Sequence, residues 1–416
     1  MTGTASRLAH LSRRTLSRRR ALAGGLAVAS LPLAFVRARA AAPIRIGFPV
    51  PLSSPYADEA IEMVRGARTA IAMFNDAGGL AGRPADLVVR DFRMDPRVAV
   101  PGTLELIKSG VDFLSGGLSP GVQLAINAAA RKHDILYNAL SQSDEIVALP
   151  AWGPTTFHEG PTPHMSSHVL GDYAFPQFGQ RVAFLAVNYS VGKELVAGLK
   201  GAGKPHGITP VAEVYHPVGT TDFTPYLQRI IAAKPSIVFF CNYGPDQQYS
   251  VQQATWAGLK NSAKLAVPVI SMTARLAAGS EAYEGVIGCA SYYWRLEDSV
   301  ASANAFNRRY RELNEGRVPT DYAALGFAGP MAMLTAAKQA GGTATAQVRA
   351  AMLAMKYDLY KGPEYYRACD HQAVQAMLVL ESRFTADAAD RDVFSIVKSY
   401  PASEAYLATC TAEGHK

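Results

Sequence analysis

From residue 44 onward, short apolar runs alternate with longer segments whose apolar positions recur every third or fourth residue. That alternation is the strongest constraint on the chain, because parallel strands need long crossovers and amphipathic helices supply them. Residues 44–50 read as a strand. Between 58 and 76, Ile61, Val64, Ala67, Ile71 and Phe74 share one helical face, and Gly78-Gly79 supplies the stop. A strand at 85–91, a helix ending near Gly110, a strand at 111–115, a helix at 122–133 and a strand at 135–138 complete one doubly wound lobe. After an interval at 150–163 rich in Pro, Gly and His, the pattern restarts with strands at 182–187, 211–216, 237–241 and 265–270, interleaved with helices at 192–199, 223–233 and 247–256. Helices at 302–313, 323–339 and 345–355 follow, and strands at 375–381 and 393–398 end the chain. The expected class is α/β, with two doubly wound parallel-sheet lobes. Ligands of such sheets lie beyond the carboxyl ends of the strands, so the cleft between the lobes is the expected site.

The first forty residues have a different composition. They carry Arg7, Arg13, Arg14, Arg18, Arg19, Arg20, Arg37 and Arg39 and no Asp or Glu. The apolar stretch 21–36 is shorter than the roughly 20 residues of a membrane span, and Ala38-Arg39-Ala40 suits a signal peptidase. Residues 1–40 are therefore expected to be an export leader, cleaved after Ala40. The paired arginines point to the twin-arginine route, with an ordinary secretory leader as the alternative. Without those eight arginines, 33 basic residues face 34 acidic ones, so the net charge falls from +7 to about −1. No basic face remains for nucleic acid. A mature chain of about 376 residues exceeds what one core organises, which again calls for two lobes. Cys241 and Cys289 lie in apolar, strand-like runs and are expected to be buried thiols. Cys369 and Cys410 lie in polar segments, and an oxidising periplasm favours a bridge between them.

Two chemical motifs need weighing. Gly117-Leu118-Ser119-Pro120-Gly121 has the form of a hydrolase nucleophile elbow between a strand and a helix. An elbow uses the N–H after the serine to hold the oxyanion, and Pro120 has none. Its acid and base would have to come from Asp370 and His371, which on a strand would face opposite ways. A serine hydrolase is thus the weaker alternative, and a loop offering backbone N–H groups to a carboxylate is the stronger reading. His164, His168 and Asp172 could share a helical face, yet the segment opens with Pro161 and Pro163 and lacks a metalloprotease glutamate, so no metal site is expected. Tyr292-Tyr293-Trp294 fits a core or a pocket equally well. No dinucleotide fingerprint, phosphate loop or C-x-x-C occurs, and no cofactor is expected.

The stretch Ile44-Arg45-Ile46-Gly47-Phe48-Pro49-Val50-Pro51-Leu52-Ser53-Ser54-Pro55-Tyr56, the turn Asn75-Asp76-Ala77-Gly78-Gly79-Leu80-Ala81-Gly82-Arg83, then Gly219-Thr220-Thr221-Asp222-Phe223 and Asp370-His371-Gln372 occur in an order and spacing that is similar to one family. The chain resembles the leucine/isoleucine/valine-binding type of ABC-transporter solute-binding proteins over essentially its whole mature length. The resemblance implies a type I periplasmic binding fold that crosses between lobes near 158–161, 290–292 and 363–366, with lobes of 41–160 plus 292–364 and 161–291 plus 365–416. It implies a monomer that hands a small-molecule ligand to an ABC permease in the inner membrane, without turnover. A receptor's sensing domain is a third possibility, disfavoured because no output domain follows.

Carried over by position, the ligand-binding residues would be Tyr56, Ser119, Ser141, Gln142, Ser143, Tyr189, Tyr243 and Thr273. Where amino-acid binders of the family set a glutamate against the ligand ammonium, this chain reads Ile270-Ser271-Met272-Thr273. An unpaired buried ammonium is costly, so a non-amino, possibly aromatic, carboxylate is the expected solute. A branched-chain or other amino acid is the alternative, should Glu281 or Glu284 reach the cleft, and neutral amides come third.

Overall fold

The computed structural model describes residues 42–387 and 389–416, and the expected leader lies outside them. The first sheet begins with β1 (Ile44–Val50), α1 (Ala57–Asp76), β2 (Ala85–Asp91) and α2 (Pro96–Lys108). It continues through β3 (Phe113–Gly116), α3 (Pro120–Lys132), β4 (Tyr137–Ala139) and β5 (Thr156–His158). Its order is β2-β1-β3-β4-β5, parallel throughout. The strand β5 lies inside the interval rich in Pro, Gly and His, where three residues are too few for periodicity to register.

The second sheet is fed by α4 (Pro163–Phe178), β6 (Arg181–Val187), α5 (Ser190–Gly203), β7 (Thr209–His216), α6 (Thr224–Ala232) and β8 (Ile237–Cys241). Then come α7 (Gly244–Trp256), β9 (Lys264–Val267), α8 (Met272–Ala278), α9 (Ser280–Tyr283) and β10 (Ile287–Ala290). Three helices follow, α10 (Ala301–Leu313), α11 (Asp321–Ala340) and α12 (Thr345–Ala354), and they return to the first sheet's side. A small antiparallel sheet of β11 (Lys356–Tyr357), β12 (Glu364–Tyr366) and β13 (Ala373–Val374) leads to β14 (Met377–Ser382) and β15 (Phe394–Tyr400). The second sheet runs β15-β14-β10-β9-β8-β6-β7, with only β14 running against the others.

The inner parallel strands of the second sheet are apolar along most of their length, as in Ile237-Val238-Phe239-Phe240-Cys241, because helices cover both faces. Against the first sheet, α1 and α11 cross closely. A methyl group on Gly66 would lie 1.8 Å from the Ala323 carbonyl oxygen, and one on Gly326 would lie 2.1 Å from that of Met63. Only glycine allows that approach.

The first two passages between the sheets follow β5 and β10. The third differs. The strand β12 pairs with β11 and β13, and Gln372 bridges to His158 beside the first sheet, so the chain enters the second sheet only between Val374 and Met377. The segment 365–374 thus belongs beside the first sheet rather than the second. Hydrogen bonding explains the difference, since Gln372 Nε2 donates to the Gly160 and Ala373 carbonyls and its Oε1 meets His158 Nδ1 at 2.6 Å.

Cys369 and Cys410 are bridged, and Cys241 and Cys289 are free and buried. The bridge fixes a tail that leaves β15 and returns to the first sheet's side. There Leu149 N donates to the Glu413 carbonyl at 2.9 Å, and Arg367 Nη1 donates to that of Ala408 at 2.8 Å. No helix among the described residues is long and apolar enough to cross a membrane.

Candidate functional site

The strand ends of both sheets face one another, and the helices that follow them present their N-termini to the space between. That space is bounded by Pro120 at the start of α3, Val191 on α5, Tyr243 before α7, Ile270 before α8 and Asp321 at the start of α11. Free N–H groups and helix dipoles there favour negative charge. About 670 Å³ there is free of protein atoms, a figure that includes space open to solvent. Leu118, Leu140, Val269, Leu325 and Met377 make most of the wall apolar.

Of the residues expected from sequence, Ser141, Gln142 and Tyr243 line this cavity. Gln123 holds Ser141 at both backbone groups, its Nε2 donating to Ser141 O at 2.9 Å and its Oε1 accepting from Ser141 N at 3.0 Å. His158 Nε2 adds a contact to the same carbonyl at 2.8 Å, and burial pushes its imidazole below the ordinary value. The side-chain oxygen of Gln142 is buried without a partner.

Tyr56, Ser119 and Tyr189 lie one step outward, around a depression shared with Arg93 and Met94. A tyrosine barrier separates the two spaces. The Tyr56 ring, from the first sheet's side, lies 5.1 Å from that of Tyr243, and the Tyr189 and Tyr243 hydroxyls are hydrogen-bonded to each other. Burial pushes the Tyr243 phenol up to about 12, and that of Tyr56 up as well. Gly244 adopts φ +57°, and a methyl group there would fall 2.3 Å from the Tyr56 ring.

Ser143 and Thr273 are elsewhere. The Ser143 hydroxyl accepts from Ile146 N at 3.3 Å, supporting a turn, and Thr273 is not among the cavity-lining residues. Instead the Thr273 hydroxyl reaches across the cleft and donates to Glu59 Oε1 at 3.2 Å. Glu281, on α9, and Glu284, just after it, are exposed and are not among the cavity-lining residues.

Asp321 supplies the missing acid. Its carboxylate lines the cavity and accepts from Met272 N at 3.2 Å, beside the very segment where the sequence shows no acid. Burial raises it to about 7, with Glu59 and Glu62 adding to the rise. The sequence held one signal for it. Thr320 is the N-cap of α11, accepting from Ala323 N, so the helix starts two residues before its apolar periodicity does and brings Asp321 to the cleft.

The remaining motifs have structural partners. His371 Nδ1 faces the Thr156 carbonyl at 2.9 Å and its ring stacks on Phe157, while Asp370 is held by Arg367, so neither serves Ser119. On α4, His164 and His168 stack with ring centres 3.8 Å apart, and Asp172 accepts from the Tyr400 hydroxyl. Burial holds His164 down at about 4. Tyr292, Tyr293 and Trp294 pack in the core beside β15.

Residues 43–389 match the family model described as periplasmic binding protein. The chain is 26% identical over 274 residues to the Leu/Ile/Val-binding protein BraC3 of Rhizobium johnstonii, covering 64% of this chain and 72% of that one. Among solved structures, the amino acid ABC transporter substrate-binding protein of Pseudomonas fluorescens superposes with a TM-score of 0.81 at 23% identity, over 90% of this chain and 99% of that one. A solute-binding protein of an ABC transporter from R. palustris, solved in complex with benzoate, does so with a TM-score of 0.77 at 21% identity, over 87% and 97% of the two chains. With its two facing sheets, its triple passage and a family match spanning most of its length, the chain belongs to the periplasmic binding protein family, on its leucine/isoleucine/valine-binding branch.

Proposed function

We propose that this protein is the solute-capturing component of an ABC importer, exported to the periplasm behind a cleaved leader, and that it binds a small carboxylate with an apolar body without chemical turnover. The observation that carries this reading is the cavity itself, an apolar chamber closed at converging helix N-termini by tyrosines from both sides. Backbone N–H groups near Ser119 and Gln142 would hold the carboxylate, Ser141 N being taken by Gln123, and Tyr56, Tyr189 and Tyr243 would shut over it. The two lobes would turn about the three passages, act as a monomer and present the closed form to a permease in the inner membrane.

Benzoate in the R. palustris neighbour supports an aromatic acid without an amino group. The absence of an acid from the segment 270–273 no longer argues for that choice, because Asp321 stands beside it. An aliphatic amino acid is therefore the second reading, favoured by Asp321 and by the Leu/Ile/Val-binding relative.

Thermal shift followed by titration calorimetry with benzoate, leucine and 4-methylpentanoate tests both. Binding of any of them, with the compound recovered unchanged, supports capture. Hydrolysis of an ester series that disappears in Ser119→Ala would replace it with an enzyme.

A further inference from the structure

Glu59 lies in the first turn of α1 and Asp321 is the first residue of α11, both on the first sheet's side. Both carboxylates dock on the first turn of α8, which belongs to the other side. Glu59 Oε1 accepts from the Thr273 hydroxyl and Asp321 Oδ1 from Met272 N, each at 3.2 Å. These two bonds span the cleft, so they exist only while it is closed.

The groups facing the pair are almost all acidic or neutral. From α1 come Asp58 and Glu62, the latter already engaged with Arg65 and the Tyr310 hydroxyl; from the surrounding loops and helices come Tyr56, Tyr243, Tyr322 and Ser271. Among the described residues no Lys, Arg or His forms an ion pair with Glu59 or Asp321. The dipole of α8 offsets part of the charge, but the helix has seven residues and its N-terminal N–H is a single donor to Asp321.

We infer that Glu59 and Asp321 couple closure of the cleft to the neutralisation of one negative charge, supplied by a proton when the solute has no cationic group and by the solute when it has one. The inference rests on the reading that closure captures the solute. When the lobes part, both carboxylates return to water and to ordinary acidity. On closure, burial raises them, Asp321 to about 7. The closed state then binds more protons than the open one at pH values between the ordinary carboxylate range and about 7. Affinity for a solute without a cation falls as pH rises through that window and levels off above it. A solute that carries an ammonium against Asp321 removes the need for the proton, and its affinity stays flat. The unpartnered Gln142 oxygen, an acceptor on the same cavity, likewise calls for a donor.

Calorimetry in buffers of different ionisation enthalpy tests this with benzoate and leucine at pH 6 and pH 8. For benzoate, the expected result is uptake of roughly 0.9 proton at pH 6 and binding about tenfold tighter than at pH 8; Asp321→Asn loses both effects. Leucine is expected to bind with no proton uptake. Benzoate binding at pH 6 without buffer-dependent heat, or with the same uptake in both Asp321→Asn and Glu59→Gln, overturns the inference. If neither probe binds, the proposed ligand class fails but the coupling remains testable in the solute-free protein. There the ratio of closed to open protein, read by small-angle X-ray scattering, should fall about tenfold more in the wild type than in Asp321→Asn between pH 6 and pH 8. Equal pH dependence in the two proteins overturns the inference on its own.

Discussion

Replacing Cys410 by serine removes the bridge to Cys369, 41 positions away, and leaves the tail's other anchors in place. Those anchors are the bonds from Leu149 N to Glu413 O, from Arg367 to Ala408 O, and between His415 Nε2 and Val147 O at 2.7 Å. The folded state should therefore change little, and the loss falls on the unfolded chain, which gains a loop's worth of freedom. For a ring of that size the chain-entropy relation gives about 13 cal/mol/K, or about 4 kcal/mol at 25 °C. An unfolding entropy of about 2.1 cal/mol/K per residue over roughly 375 residues converts this to a melting temperature lower by about 5 °C. Urea unfolding followed by tryptophan fluorescence measures it directly. Trp152 packs edge-on against His371 and His415, each ring centre 5.0 Å away, so it also reports locally on whether the tail leaves early. A loss below about 1 kcal/mol with an unchanged m-value would refute the argument that the bridge acts on the unfolded chain. A Trp152 transition well ahead of global unfolding would show instead that the bridge holds the native tail down.

Gly244→Ala should weaken solute binding by an order of magnitude or more while the fold survives, because the methyl meets the Tyr56 ring only when the cleft is shut; by calorimetry the double variant with Tyr56→Ala, itself a weakened binder, should lose less than the sum of the two single losses. Lys361→Met leaves Glu364, its partner at 3.1 Å, buried without a cation, and should cost on the order of 3–5 kcal/mol in urea unfolding at pH 8. That cost should shrink at pH 5, where the unfolded chain pays less to keep the carboxyl protonated. Glu194, raised to about 7 by burial and by Asp144, and Asp144, raised to about 6 by burial, both hold protons in the folded state that the unfolded chain gives up. Stability should therefore decline as pH rises from about 4.5 to about 7, and the decline should be shallower in Glu194→Gln, as read by urea midpoints across that range.

The strand and helix alternation was legible wherever an element ran long enough to show its period. The strands at Ala85–Asp91 and Ile237–Cys241 fall where the apolar pattern ends them. What escaped was short or set by distant partners. The three residues of β5 carry no periodicity, and the placement of 365–374 depends on Gln372 meeting His158, more than two hundred residues away. At the cleft, Ser141, Gln142 and Tyr243 follow strand ends, and strand ends are visible in sequence. Ser143 sits two residues past Ser141 but turns away to accept from Ile146 N, a local turn that the apolar pattern does not register. The Thr320 cap could mark where the helix of Asp321 begins but not where it points, since the segment it meets, at the start of α8, is 49 residues away in sequence and packing against α1 brings the two together.

That packing gives the two glycines at the crossing of α1 and α11 a reach beyond the core. Asp321 stands five residues ahead of Gly326 on the same rigid helix, so whatever sets the depth of the crossing also sets how far the carboxylate projects into the chamber. A single methyl at Gly66 or Gly326 would push the helix outward against a backbone carbonyl and carry the acid with it. Solute preference in this protein can thus drift through mutations that never touch the chamber wall. Descendants that share every lining residue could differ in diet because of a contact between two backbones.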